Sequence, residues 1–201
     1  MTYTELKSTL VGPVLGFEAF MDHVSDLVSR RATTGPNQTE KLIDFTALNF
    51  KRMERIAKTA QIGEGLSAAL KASPPMHWVV ITEAWCGDSA QNTPYLAAIA
   101  ALHPNFTFEI IERDQNPTII DAYLTNGGRS IPKMVAFGND GSERFVWGPR
   151  AAAAQKILLD WKANPNGRTF EDFEKELHTW YAKDKGQSMQ SEILELLSGV
   201  K

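Results

Sequence analysis

The chain reads as an α/β protein with a mixed β-sheet in its middle and helical extensions at both ends. Three observations carry this reading. Short β-branched apolar runs alternate with helical segments from about residue 75 to 163. The flanking stretches show apolar residues at helical spacing. Nothing in the composition points away from an ordinary globular domain: 43% of residues are hydrophobic and 22% charged.

The elements follow in order. Phe17, Phe20, Met21, Val24, Leu27 and Val28 share one face of a first helix, and "TTGPNQ" breaks it. A second helix is expected over about Thr39 to Ile62, with Phe50, Met53, Ala57 and Ala60 on a common face. A short third helix follows Gly65 and stops at "SPP". "HWVVITE" reads as a buried strand, and "SAQNTPYLAAIAAL" as a helix that Pro94 should kink. "FTFEIIE" alternates as a strand does. Asn116 and Pro117 supply an N-cap and a first helical position for "TIIDAYL", which Gly127 and Gly128 end. "PKMVAFG" and "SERFVWG" flank the tight turn "NDG" as an antiparallel hairpin. "PRAAAAQKILLDWKA" is a helix stopped by Pro165.

Thr169 with Asp172 marks the start of the next helix, whose face carries Phe170, Phe173, Leu177, Trp180 and Tyr181. A last amphipathic piece holds Met189, Ile193, Leu197 and Val200. The order β-α-β-α-β-β-α implies parallel strands from the crossovers and an antiparallel one from the hairpin, with helices on both faces. The expected division is 1–74 as a helical extension packed on the core, 75–163 as the α/β domain, and 164–201 as a C-terminal helical extension. Packing back on the sheet and forming a homodimer are both open to the end helices.

Charge and cysteine usage limit the function. Lys and Arg number 21 against 24 Asp and Glu, for a net charge of −3, so no basic surplus points to nucleic acid or an anionic membrane. The single cysteine, Cys86, excludes a disulfide within the chain and fits a reducing compartment. No secretory signal and no membrane span is read, so a cytoplasmic place is expected. His23, His77, His103 and His178 lack ligand spacing, so no metal is expected. No phosphate-binding glycine loop appears.

Cys86 sits in "WCGDS", between the first strand and its helix. This turn resembles the active site of the thioredoxin family, and the resemblance extends beyond the cysteine. Trp85, Cys86 and Gly87 match W-C-G, and Pro94 stands five residues after Ser89 where the family kinks its helix. Asp114 to Pro117 repeat a D-x-N-P helix start, "RSIPKMVAF" looks like the segment holding the family's cis-proline, and Gly148 matches a closing glycine. The wider match is to bacterial thioredoxin-like proteins with a W-C-G-D turn. The resemblance implies the thioredoxin fold, Cys86 as nucleophile at an exposed helix start, and a groove formed by Ile131 and Pro132. At such a start a thiol pKa falls from ~8.5 toward ~3.5–7.5.

Three departures matter. Ser89 replaces the second cysteine, Asp88 replaces a proline, and Val80 stands where the family keeps a buried acid. A serine hydroxyl can donate to a thiolate but cannot close a disulfide. The expected chemistry is therefore monothiol exchange with protein disulfides or glutathione adducts, without a bound cofactor, finished by an outside thiol such as glutathione. Asp88 favours the helix start yet opposes thiolate formation, and plain capping is its other reading. Trp85 is expected beside the thiol, and Glu83 as a solvated strand-edge residue, with an acid acting near the thiol as its other reading.

A non-catalytic module that binds a peptide or partner remains the alternative. "GDS" also resembles the first block of the GDS-type esterases, with Ser89 as nucleophile. Those enzymes need a late D-x-x-H, and Lys175 occupies the acid's place before His178.

Overall fold

The computed structural model describes residues 1–200. The β-branched runs form β1 (Met76–Thr82), β2 (Thr107–Glu112), β3 (Lys133–Gly138) and β4 (Glu143–Trp147), in the order β2-β1-β3-β4. β1 pairs parallel with β2 and antiparallel with β3, and β3 pairs antiparallel with β4. The crossovers were expected to give parallel strands, and only the first does. The second connection contains α6 (Pro117–Asp121), which stops well short of Gly127. Five helical residues rise only about 7.5 Å, against about 20 Å for a six-residue strand. This helix does not carry the chain back across the sheet, so β3 starts at the end where β1 finishes. That places Pro132 opposite Cys86.

Both faces of the sheet are covered. Trp78 and Val80 enter one apolar cluster while Val79 and Ile81 enter another, as period-two alternation requires. The first cluster is covered by α2 (Phe17–Ser29), α3 (Glu40–Thr59), α4 (Glu64–Ala72), α5 (Gly87–Ala100) and α9 (Gln187–Ser198). The second is covered by α6 and by α1 (Tyr3–Thr9), which inserts Leu6. α1 has no counterpart in the sequence reading, although Thr2 and Glu5 form a capping box that the sequence spells out. α7 (Ala152–Ala163) and α8 (Phe170–Asp184) share a third cluster of Ala154, Phe173, Leu177 and Tyr181. α8 starts at the Thr169–Asp172 box.

The buried stripe of α3 is Ile43, Thr46, Asn49, Met53 and Ile56; of the apolar face read from the sequence, Met53 is buried and Ala57 exposed. The polar Thr46 and Asn49 hid that stripe from an apolar count. No helix among the described residues is long and apolar enough to cross a membrane.

Candidate functional site

β1 ends at Thr82, and the chain turns so that Cys86 becomes the N-cap of α5. The Cys86 N–H donates to Glu83 O at 3.1 Å, and Cys86 O accepts from Ala90 N at 3.0 Å. The thiol therefore stands at a helix start, but it is not exposed. Cys86 is 9% accessible and its Sγ donates to Ile131 O at 3.3 Å. Burial pushes its pKa up to about 11, and the Asp88 carboxylate adds to the push. The N–H groups of Ser89 and Asp88, and the Ser89 hydroxyl once the thiol ionises, pull only part of the way back. The expected exposed, readily ionised thiol is thus corrected. α3, α8 and the Ile131 segment exclude water from the helix end, and desolvation outweighs the dipole.

Ser89 is 3% accessible, and its Oγ has no hydrogen-bond partner while the thiol donates elsewhere. Ile131 is buried, and the Ile131–Pro132 bond is cis, as is Gly148–Pro149. Gly148 has φ +109°, and a Cβ there would overlap Pro132 O, so this crossing accepts only glycine. Pro94 lies within α5, eight residues after Cys86, and offers no N–H to the helix ladder.

Asp88 does more than cap. It is 8% accessible and ion-paired with Arg150, whose Nε donates to Oδ2 at 3.1 Å and whose Nη2 donates to the same oxygen. Tyr181 donates to Oδ1 at 2.6 Å, and Asn92 Nδ2 donates to Asp88 O at 2.8 Å and to Tyr181 Oη at 3.2 Å. Burial and the carboxylate raise the Tyr181 pKa well above its ordinary value. These bonds pin the start of α5 to α8 and to the segment before α7.

A groove of about 710 Å³ opens over Trp85, Cys86 and Gly87, between α3 and α8. Leu42, Phe45 and Leu48 form one wall and Phe170 part of the other; Leu48 is 45% and Phe170 48% accessible. Asn49, fully buried, donates to Ala84 O at 3.0 Å and accepts from Arg52 at 2.9 Å. A Cβ on Gly87 would stand 3.0 Å from His178 Nε2, so glycine lets the histidine close on the turn. Gln91 Nε2 pairs with His178 Nδ1 at 3.1 Å. Burial, then the charge of Arg52, lowers the His178 pKa to about 4.

Trp85 is half-buried, with the Arg113 guanidinium 4.8 Å from its ring centre. Glu83 corrects a further expectation. It is 1% accessible rather than solvated, and accepts from Asp114 N at 2.8 Å. Its Oε2 has no partner, and burial raises its pKa to about 7. Among the described residues no cluster of three His, Cys, Asp or Glu could hold a metal ion.

The structure brings Trp85, Cys86, Gly87, Asp88, Ser89, Ile131 and Pro132 together. It adds Asn49, Arg52, Arg150, His178 and Tyr181, which the sequence reading did not place here. Arg150 follows Gly148–Pro149 directly, a signal that could have been used. The others come from distant helices and carry no local pattern.

A family model described as thioredoxin matches residues 35–164. No curated protein matches the chain. A crystal structure of an HIV epitope-scaffold is 17% identical with a TM-score of 0.59, covering 100% of this chain and 100% of that one. A crystal structure of a protein of unknown function from Pseudomonas aeruginosa is 17% identical with a TM-score of 0.59, covering 92% of this chain and 98% of that one. At such identity these likenesses carry the fold alone. The family match takes in α3 and ends before α8, so it includes one wall of the groove.

Proposed function

The chain belongs to the thioredoxin family, and on that premise we propose that it exchanges thiols and disulfides through one sulfur, Cys86. The observation that carries the reading is the setting of this thiol. It stands at the start of α5, on the floor of a groove, against the carbonyl of Ile131, with an unpartnered Ser89 hydroxyl beside it.

The chemistry is a two-step transfer. Cys86 sulfur attacks one sulfur of a disulfide R–S–S–R′ seated in the groove. A Cys86–S–S–R bond forms, the R–S–S–R′ bond breaks, and R′ leaves as a thiolate that takes the proton lost by Cys86. Ser89, freed to donate, stabilises the charge on the attacking sulfur. Having no second sulfur, the site waits for an outside thiol of the glutathione class. That thiol attacks the bound sulfur of R, returns Cys86 as a thiol and leaves as a mixed disulfide with R.

Resting reactivity is low. Moving a thiol from 9.0 to about 11 cuts the thiolate at pH 7 roughly 100-fold. The more basic thiolate regains roughly eightfold in nucleophilicity at a Brønsted slope of ~0.45. The net is a thiol roughly tenfold slower than a free one, until a bound partner displaces the Ile131 contact. The same raised pKa supports a second reading, in which the groove binds a partner without covalent chemistry.

Intact-protein mass spectrometry separates the two. A small disulfide at pH 8 should yield one adduct, absent from Cys86→Ser, that persists until a thiol is added. In Ser89→Cys the adduct should instead resolve into an internal disulfide. An unreactive native Cys86, in a chain that reacts once unfolded, would leave only the binding module.

A further inference from the structure

Arg52 stands in the groove without a salt bridge. Its Nη1 lies 3.8 Å from the position a Cβ would take on Gly87, next to the thiol. Its hydrogen bond is to the neutral Asn49 Oδ1, and it forms no ion pair among the described residues. Glu174 lines the same groove and opposes its charge without a salt bridge, and Lys175 adds a second cation to the lining. Burial lowers the Arg52 pKa, which marks a guanidinium partly stripped of water. Asn49 fixes its place, because the same amide also holds Ala84 O. His178, on α8 in the same groove, is neutral at pH 7 and adds no charge. The walls beside this cation are apolar, with Leu48 and Phe170 open to solvent.

A groove with apolar walls and a guanidinium free of any salt bridge beside the thiol fits an amphiphilic anion. We propose that Arg52 is the anchor for a carboxylate on the small thiol or disulfide that Cys86 handles. The ligand class is an apolar, carboxylate-bearing organosulfur compound, its body against Leu48 and Phe170 and its carboxylate on Arg52. The proposal rests on the reading of this groove as the exchange site. Arg52 acts in binding; no proton or electron passes through it.

Two measurements keep the proposals apart. The first needs no reaction at Cys86. Binding of 5-(methylthio)-2-nitrobenzoate, a thioether that cannot exchange, is measured by calorimetry on the native protein, Arg52→Gln and Arg52→Lys. Arg52→Gln should weaken binding about tenfold or more, about 1.4 kcal/mol, and Arg52→Lys should restore part of it. The second compares rates of mixed-disulfide formation with an anionic aromatic disulfide, dithiobis(nitrobenzoate), and a neutral one, dithiodipyridine. Their ratio should fall about tenfold on Arg52→Gln, and the double ratio cancels the intrinsic reactivity of the reagents. Equal binding by native protein and Arg52→Gln, or none by either, overturns the anchor even if both disulfides react. Binding that depends on Arg52, with neither disulfide reacting, upholds the anchor and overturns monothiol exchange.

Discussion

Asp88 is the residue whose chemistry changes most between sequence and structure. As an acid in the first turn of a helix it reads as a cap worth a few tenths of a kcal/mol to about 1 kcal/mol. In the fold it is the buried partner of Arg150 and Tyr181, and its charge also holds the Cys86 proton on. Asp88→Asn therefore has two opposed effects. It removes a negative charge beside the thiol and leaves Arg150 unpaired, both of which favour the thiolate, so alkylation of Cys86 at pH 8 should speed up. It also leaves a buried guanidinium uncompensated, at a cost of about 3–5 kcal/mol, which urea denaturation would read. A variant that labels no faster, or that loses no stability, would refute this role. The place of Cys86 and Ser89 at the start of α5 was legible because the turn chemistry is local. The state of the thiol was not, because it depends on what covers it, and Leu42, Arg52 and Phe170 come from helices far along the chain. Glu83 failed for the same reason: at a strand end it looks solvated, yet Thr34 and Asp114 close over it.

Elements were legible wherever period and caps agreed. The Thr169 box, the Asn116–Pro117 start and the "NDG" hairpin all appear as read. Misreadings fall where one cue was used alone. Counting only apolar residues on α3 passed over the buried Thr46, which bonds Thr33 and Leu42, and the buried Asn49, which holds Ala84 O beside the site. Using glycine as the stop for α6 missed that the helix ends at Asp121 and that the Thr125–Gly128 turn follows. The strand direction depended on that helix being short. α3 and α8, which come from the two extensions, form the groove walls, and the turn Trp85 to Gly87 forms its floor. The apolar faces of α8 and α9 pack within the chain, through Phe173 and Leu177 and through Met189 and Ile193.

Across the whole molecule, two buried groups give stability opposite pH dependences. The Glu83 pKa is raised from 4.5 to about 7, so its contribution is full below pH 4.5 and is lost as pH rises through 7. The His178 pKa is lowered from 6.5 to about 4, so its contribution is present above pH 6.5 and is lost as pH falls through 4. Each shift corresponds to roughly 3 kcal/mol, and the two slopes cancel between about pH 4.5 and 6.5. Removing either group exposes the other. Glu83→Gln should gain about 2–3 kcal/mol of stability from pH 4.5 to 6.5 relative to the native chain, and His178→Asn should lose a similar amount. All remaining ionisable groups are common to the three proteins and drop out of the comparison. Parallel stability curves for the three, measured by urea titration, would show that these groups ionise as freely as in the unfolded chain. Composition alone cannot reveal such a balance, since only the fold decides which of 24 acids and 4 histidines lose their water.

One sulfur, protonated at rest and released by what enters the groove, is the centre of this account. Its most direct test is the rate of iodoacetamide alkylation of Cys86 from pH 6 to 10, in the native protein and in the same chain unfolded in urea. The native rate at pH 7.5 should be about tenfold or more below the unfolded one and still climbing at pH 9.5. A plateau reached below pH 8, or native labelling faster than unfolded, would contradict it.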